Sequence, residues 1–134
     1  MTDIARFRFK KYQIVKASIE FKNLSDISGE LEISIKKSEA INLEDNKFRL
    51  TFDVCVSNKD KSLIINVLCL GYFDFEKDIT EDEKKVFFNT SAPAILFPYI
   101  RAYISTLTTL GGIKSITLPT VNLTSGAVDS GKQS

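Results

Sequence analysis

Residues 48 to 57 alternate side-chain character so regularly that an extended chain with one buried face is the conformation they specify. Phe48, Leu50, Phe52, Val54 and Val56 share one side, and Arg49, Thr51, Asp53, Cys55 and Ser57 the other, the two-residue repeat of a half-buried strand. After the polar connection Asn58 to Lys61, the run Leu63 to Phe75 is apolar on both faces for much of its length, as in a central or interface strand. Upstream, Leu31, Ile33 and Ile35 alternate with Glu30, Glu32, Ser34 and Lys36. The opening segment Ile4 to Lys22 sets Phe7, Phe9, Tyr12, Ile14 and Ile19 among charges, a pattern that predicts one long or bulged strand. Turns fall at Asn23 to Gly29 and at Lys37 to Asn46. Four strands joined by polar connections predict an antiparallel meander.

The character of the chain changes after Phe75. Thr80-Glu-Asp-Glu83 has the form of a capping box, in which the threonine hydroxyl and the glutamate three residues on satisfy free backbone donors; it predicts a short helix over about 81 to 88. From Pro93, Leu96, Tyr99, Ile100, Tyr103, Ile104, Leu107 and Leu110 recur at helical spacing, and Gly111-Gly112 supplies the stop. Pro98 inside this pattern is expected to bend the helix or move its regular start later. Ile113 to Leu123 reads as an extended apolar segment interrupted by Pro119, and Thr124 to Ser134 as a flexible polar tail. The fold class is therefore α+β, a four-stranded antiparallel sheet followed by a long helix in the C-terminal half, with residues 1 to 123 as one domain.

A length of 134 residues suits a single core. The net charge of +1 gives no overall field for nucleic acid or an anionic membrane. Charge is nonetheless uneven: residues 1 to 22 hold six basic groups and two acids, and residues 74 to 85 hold six acids and three lysines, so one face could be steered toward a partner. The start lacks the apolar stretch of a secretory signal and the longest apolar runs are too short to span a bilayer, which points to the cytoplasm. Cys55 and Cys69 lie within apolar segments and read as small buried residues.

The chain has no histidine, so an imidazole base, a Ser-His or Cys-His dyad and a histidine-ligated metal are closed to it. Asp53, Asp74 and Glu76 are carboxylates next to apolar strands, but a polar strand face and an acidic turn account for them. The expectation is of a non-enzyme without cofactor. Arg6-Phe-Arg-Phe-Lys-Lys-Tyr12 interleaves cations and rings as a single-stranded nucleic-acid binder does; a strand that buries its rings and exposes its cations gives the same alternation. The aromatic cluster Tyr72, Phe73, Phe75, Phe87 and Phe88 reads as core, or as a binding surface wherever part of it is exposed.

The block Ala92-Pro-Ala-Ile-Leu-Phe-Pro-Tyr-Ile-Arg101, its continuation through Tyr103 to Gly111, and Leu118-Pro-Thr-Val-Asn-Leu123 resemble the signature of the SecB family of export chaperones. Four preceding strands and Gly71-Tyr72-Phe73 fit the same resemblance, which covers about residues 5 to 123. It implies an ATP-independent holdase, a homotetramer built as a dimer of dimers, that grips unfolded polypeptide or preprotein in apolar grooves and delivers it to the translocation motor SecA. By this analogy Tyr72, Phe73, Phe75, Phe97 and Tyr99 are the expected client-binding or seam residues, and Ile100, Tyr103, Ile104 and Leu107 the expected oligomer seam. Lys16, Glu20, Ile64 and Asn66 would form the motor-contacting sheet face. That face is acidic in the family; Glu20 matches one acid, whereas Lys16 and Asn66 replace two others. Few apolar residues follow Leu123 to form the family's second C-terminal helix. Some SecB-like proteins serve the antitoxin of a toxin-antitoxin pair, the alternative reading; a single-stranded nucleic-acid module is the alternative of another class, and an oligomerisation domain that keeps the fold without client grooves is a third.

Overall fold

The computed structural model describes residues 6 to 22, 30 to 118 and, as backbone, 128 to 133. Its strands are β1 (Phe7–Phe21), β2 (Leu31–Asn42), β3 (Lys47–Asn58), β4 (Leu63–Phe75) and β5 (Val128–Gln133); α1 (Glu81–Val86), a π-turn (Phe87–Ser91) and α2 (Ala92–Leu110) follow β4. The antiparallel four-strand sheet followed by a long helix agrees with the sequence pattern. Strand order departs from a plain meander. β2, β3 and β4 form one, but β1 crosses over to the free edge of β4, giving the order β1-β4-β3-β2-β5, a Greek-key arrangement. The reason lies in β4, which is apolar on both faces and needs a strand on each side; β1 is long enough to cover its second edge.

β1 follows β4 with register shifts between Phe9 and Lys11 and between Ile14 and Lys16. Each shift inserts one extra residue. Phe7, Phe9, Tyr12, Ile14, Ala17, Ile19 and Phe21 thereby stay in register with the odd-numbered residues Phe75 to Leu63 of β4, whose side chains are buried. A strict two-residue repeat across β1 would have turned Tyr12 and Ile14 to the other face.

The core fills one face of the sheet. Phe48, Leu50, Phe52, Val54 and Val56 of β3 and Leu63, Ile65, Val67, Cys69 and Phe73 of β4 are buried together with Leu96, Ile100 and Ile104 of α2. Burial of each such side chain contributes about 1.5 to 3 kcal/mol. It also pushes the Cys69 thiol up to about 11. Both cysteines are free. The other face carries no second layer among the described residues.

Thr80 caps α1 as expected: its hydroxyl accepts from the Glu83 amide at 3.1 Å, and the Glu83 carboxylate accepts from the Thr80 amide at 2.8 Å. The predicted break between two helices is instead a π-turn, closed by the Ala92 amide donating to the Phe87 carbonyl. α2 starts at Ala92, earlier than Pro98 led us to expect, and continues through that proline. Pro98 and Ala94, whose carbonyl loses its usual donor, are both exposed, so water serves that carbonyl. α2 ends in a Schellman motif. Gly112 takes φ +89°, the Gly112 amide donates to the Thr109 carbonyl, and the Ile113 amide to that of Thr108. Residues 113 to 118 then run extended along α2. The Thr108 hydroxyl accepts from the Ile116 amide at 2.9 Å, and Arg101 Nε donates to the Leu118 carbonyl at 3.0 Å.

Residues 119 to 127, including the Pro119 to Leu123 stretch and the start of the expected tail at Thr124, lie outside the described residues, as does Ser134. Within that expected tail the backbone of Val128–Gln133 pairs antiparallel with β2. Edge pairing draws on backbone donors and acceptors, so the polar composition of these residues gave no sign of it.

Candidate client-binding surface

α1 and the π-turn lie over a cluster of phenylalanines. Phe7 stacks on Phe87 at 4.0 Å between ring centroids, and Phe48 on Phe88 at 4.1 Å; Phe73 and Phe75 meet the same two rings edge-on. The π-turn is what lets adjacent Phe87 and Phe88 both face the sheet. A groove flanks α1 on each side. One, of about 400 Å³, runs between Glu39, Ile41 and Leu43 on the β2–β3 hairpin and Lys84, Lys85 and Phe88. The other, of about 330 Å³, is lined by Phe7, Asp82, Glu83, Val86, Phe87 and Ser91 and is almost wholly apolar. Leu43 and Val86 on their rims are 65% and 60% exposed, far more than an isolated domain needs to leave in water.

Leu43 is held out by its turn. The Asn42 side chain accepts from the Asp45 amide at 3.1 Å and donates to the Asp45 carboxylate at 3.2 Å, and Asn46 takes the left-handed φ of 55°, a conformation asparagine tolerates. At the other groove, Arg6 pairs with Glu83 at 3.1 Å. Hydrogen bonding from the Thr80 amide, then Arg6, holds the Glu83 carboxyl below its ordinary range, so this rim is charged at neutral pH.

A second apolar surface lies on α2. Its exposed positions include Ile95, Pro98, Tyr99, Ala102, Thr106 and Leu110, without one charge. Tyr99 stacks at 4.4 Å on Tyr12 of β1, whose ring is likewise exposed.

The five expected client-binding residues are not brought together. Phe73, Phe75 and Phe97 are buried in the core, Tyr99 belongs to the α2 surface, and Tyr72 lies on the opposite face of the sheet beneath Lys11. Of the expected seam, Ile100 and Ile104 are fully buried within the protomer, while Tyr103 and Leu107 are partly covered. Lys16, Glu20, Ile64 and Asn66 do share one region: Glu20 faces Ile64, and Asn66 faces Ser18, on the outer sheet face. Sequence reasoning missed Ile41, Leu43, Val86, Phe7 and Tyr12. The available signals were apolar residues on either side of the polar Asn42, and an aliphatic directly before Phe87-Phe88.

The basic and acidic segments seen in the sequence pair with each other. Arg8 reaches Glu76 at 3.1 Å, and Arg6 also lies 3.7 Å from Asp78. The rings of Arg6-Phe-Arg-Phe-Lys-Lys-Tyr12 turn toward the helices: Phe7 onto Phe87, Phe9 and Tyr12 onto Tyr99. Phe7 and Phe9 are therefore occupied within the fold, and Tyr12 alone of these rings is exposed. Among the described residues no Cys/Asp/Glu group is arranged to hold a metal, and no helix is long and apolar enough to cross a membrane.

The family model described as preprotein translocase subunit SecB matches residues 7–125. The protein-export protein SecB of Orientia tsutsugamushi (strain Boryong) is 36% identical over 89 residues, 64% of this chain and 52% of that protein, so the match spans about half the length of that relative. The protein-export protein SecB of Aromatoleum aromaticum is 29% identical over 127 residues, 89% of this chain and 79% of its own. The fold is also that of the Mycobacterium tuberculosis Rv1957 SecB-like chaperone, solved in complex with a ChAD peptide from the Rv1956 HigA1 antitoxin: the TM-score is 0.72 at 15% identity, over 88% of this chain and 89% of the other. With a family match that runs through the sheet and α2, this chain belongs to the SecB family.

Proposed function

We propose that this protein is a cytoplasmic holdase that keeps unfolded polypeptide from aggregating without ATP, its clients seated in the grooves beside α1. The observation that carries the reading is the pair of grooves flanking α1, with exposed Leu43 beside Phe88 in one and exposed Val86 beside Phe7 and Phe87 in the other. Apolar grooves capture client side chains at about 25 cal/mol per Å² buried, which gives weak contacts that add up along an extended chain. Charged rims at Glu83, Lys84 and Lys85 keep the free protein soluble. The uncharged face of α2 suits a seam between copies, and a homotetramer built as a dimer of dimers is the assembly this reading carries.

Chemically unfolded, non-native clients, incubated with the protein at near-stoichiometric ratio without ATP, provide the test by light scattering. Wild type is expected to suppress aggregation, and Leu43→Asp combined with Val86→Asp to lose at least fivefold of that activity with circular dichroism unchanged. Suppression by wild type that the double variant retains would remove the grooves from the reading; no suppression of any unrelated client would remove general chaperoning.

A second reading is a chaperone dedicated to an antitoxin. It is favoured by Lys16 and Asn66 standing where acids are expected on the outer face, which weakens the case for delivery to SecA. A single tight, stoichiometric partner would separate it from general holding.

A further inference from the structure

The outer face of the sheet ends in a groove that the client surface does not use. Strand pairing sets Arg49 of β3 beside Tyr72 of β4, and Tyr72 beside Lys11 of β1. These side chains, with Ala40, Lys47 and Asp74, line a cavity of about 580 Å³, a size at which pockets hold a small ligand or several side chains. Lys11 lies over the Tyr72 ring at 5.1 Å. Asp74 is already engaged by Lys47 at 3.3 Å and by Lys10 at 3.8 Å. Four cations thus surround one carboxylate, and neither Lys11 nor Arg49 has a carboxylate within ion-pair distance among the described residues.

We infer that this groove binds an acidic peptide segment, two carboxylates flanking an apolar or aromatic side chain. Three strands about 4.8 Å apart put the Arg49 and Lys11 backbones about 10 Å from each other. An extended peptide turns alternate residues to one face, so carboxylates four residues apart with one side chain midway between them span about 13 Å at ~3.3 Å per residue, within reach of the long Arg49 and Lys11 side chains. Its carboxylates meet Arg49 and Lys11, which draws Lys11 off the Tyr72 ring, and the side chain between them lies against that ring. Arginine suits a carboxylate particularly, through paired hydrogen bonds. A nucleic-acid strand fits less well: among the described residues Tyr72 alone offers a ring on this face, too few for successive bases to stack. The groove lies on the opposite side of the sheet from α1, so the inference stands apart from the holdase reading.

The test uses the full chain and three fluorescein-labelled probes in anisotropy titrations: a short peptide with glutamates four apart around a central phenylalanine, the same peptide with glutamines, and an oligothymidylate. The glutamate peptide is expected to bind at least tenfold tighter than the glutamine peptide, with affinity falling as salt is raised. Arg49→Gln and Lys11→Gln are each expected to weaken it at least fivefold, with circular dichroism unchanged. Both positions are exposed, and Lys59→Gln, which removes one exposed charge in the β3–β4 turn at the other end of the sheet, serves as a folded control with unchanged affinity. Equal binding of the two peptides, indifference to Arg49→Gln and Lys11→Gln, or tighter binding of the oligothymidylate would each overturn the inference.

Discussion

Gly71 shows what a single position contributes where α2 meets the sheet. A Cβ there would stand 2.9 Å from one Leu96 terminal methyl and 3.0 Å from the other, and Leu96 is fully buried, with little free space to rotate into. Gly71→Ala is therefore expected to destabilise the protein by about 1 to 3 kcal/mol, the usual cost of overpacking, as read from denaturant midpoints. Leu96→Ala removes the clashing methyls and leaves a cavity, so the double variant should lose clearly less than the sum of the two single losses. Additive losses would mean that Gly71 is required for some reason other than this contact. Gly71-Tyr72-Phe73 was legible in the sequence as part of the family resemblance. Its physical reason was not, because close approach between a strand and a helix involves residues 25 apart in the chain and leaves no local periodicity.

At the level of elements, regular repeats were readable and interruptions were not. The alternation of β3 and the helical spacing of α2 both appear in the structure. A bulged β1 was among the readings of its apolar spacing, but where its two bulges fall, the π-turn before Ala92 and the crossing of β1 to the far edge of β4 were not specified by any local pattern, because each is set by what the element must pack against. The segment after α2 belongs to the same class. Ile113 to Leu118 has no strand or helix of its own and is tied down by Thr108, which is fully buried; its hydroxyl donates to the Ile104 carbonyl at 2.9 Å while accepting the Ile116 amide. Thr108→Val keeps the shape and removes both bonds, leaving the buried Ile116 amide without that acceptor. The expected loss is about 1 to 3 kcal/mol, with faster hydrogen exchange at the Ile116 amide than at the amides of β3. Unchanged exchange there would show that the segment is held by apolar contacts alone.

For the molecule as a whole, the decisive contrast is between its charges and its bare surfaces. Basic β1 and the acidic stretch after β4 neutralise one another through Arg6, Arg8 and Lys10, so the charge asymmetry visible in the sequence is largely spent inside the protomer, and pairs as exposed as Arg8–Glu76 contribute only about 0 to 1 kcal/mol each. Among the described residues, what remains uncovered besides Lys11 and Arg49 includes the apolar surface of Leu43, Val86 and α2. The expected seam on α2 included Ile100 and Ile104, which are buried within the protomer, because helical spacing marks the face that packs without telling whether it packs on its own sheet or on another copy. The sheet takes that stripe. A seam between copies is left with Ile95, Tyr99, Ala102 and Leu110, and Ala102 lies in the middle of this face. Ala102→Glu keeps helix propensity and inserts a charge that would have to be desolvated at a packed seam. Sedimentation of the wild type is expected to give a multiple of the 15.0 kDa chain, and Ala102→Glu a smaller species with its circular dichroism intact. If the variant keeps the wild-type mass, the copies meet elsewhere, and the uncharged face of α2 becomes a further client surface that the aggregation assay should then register as a loss in this same variant.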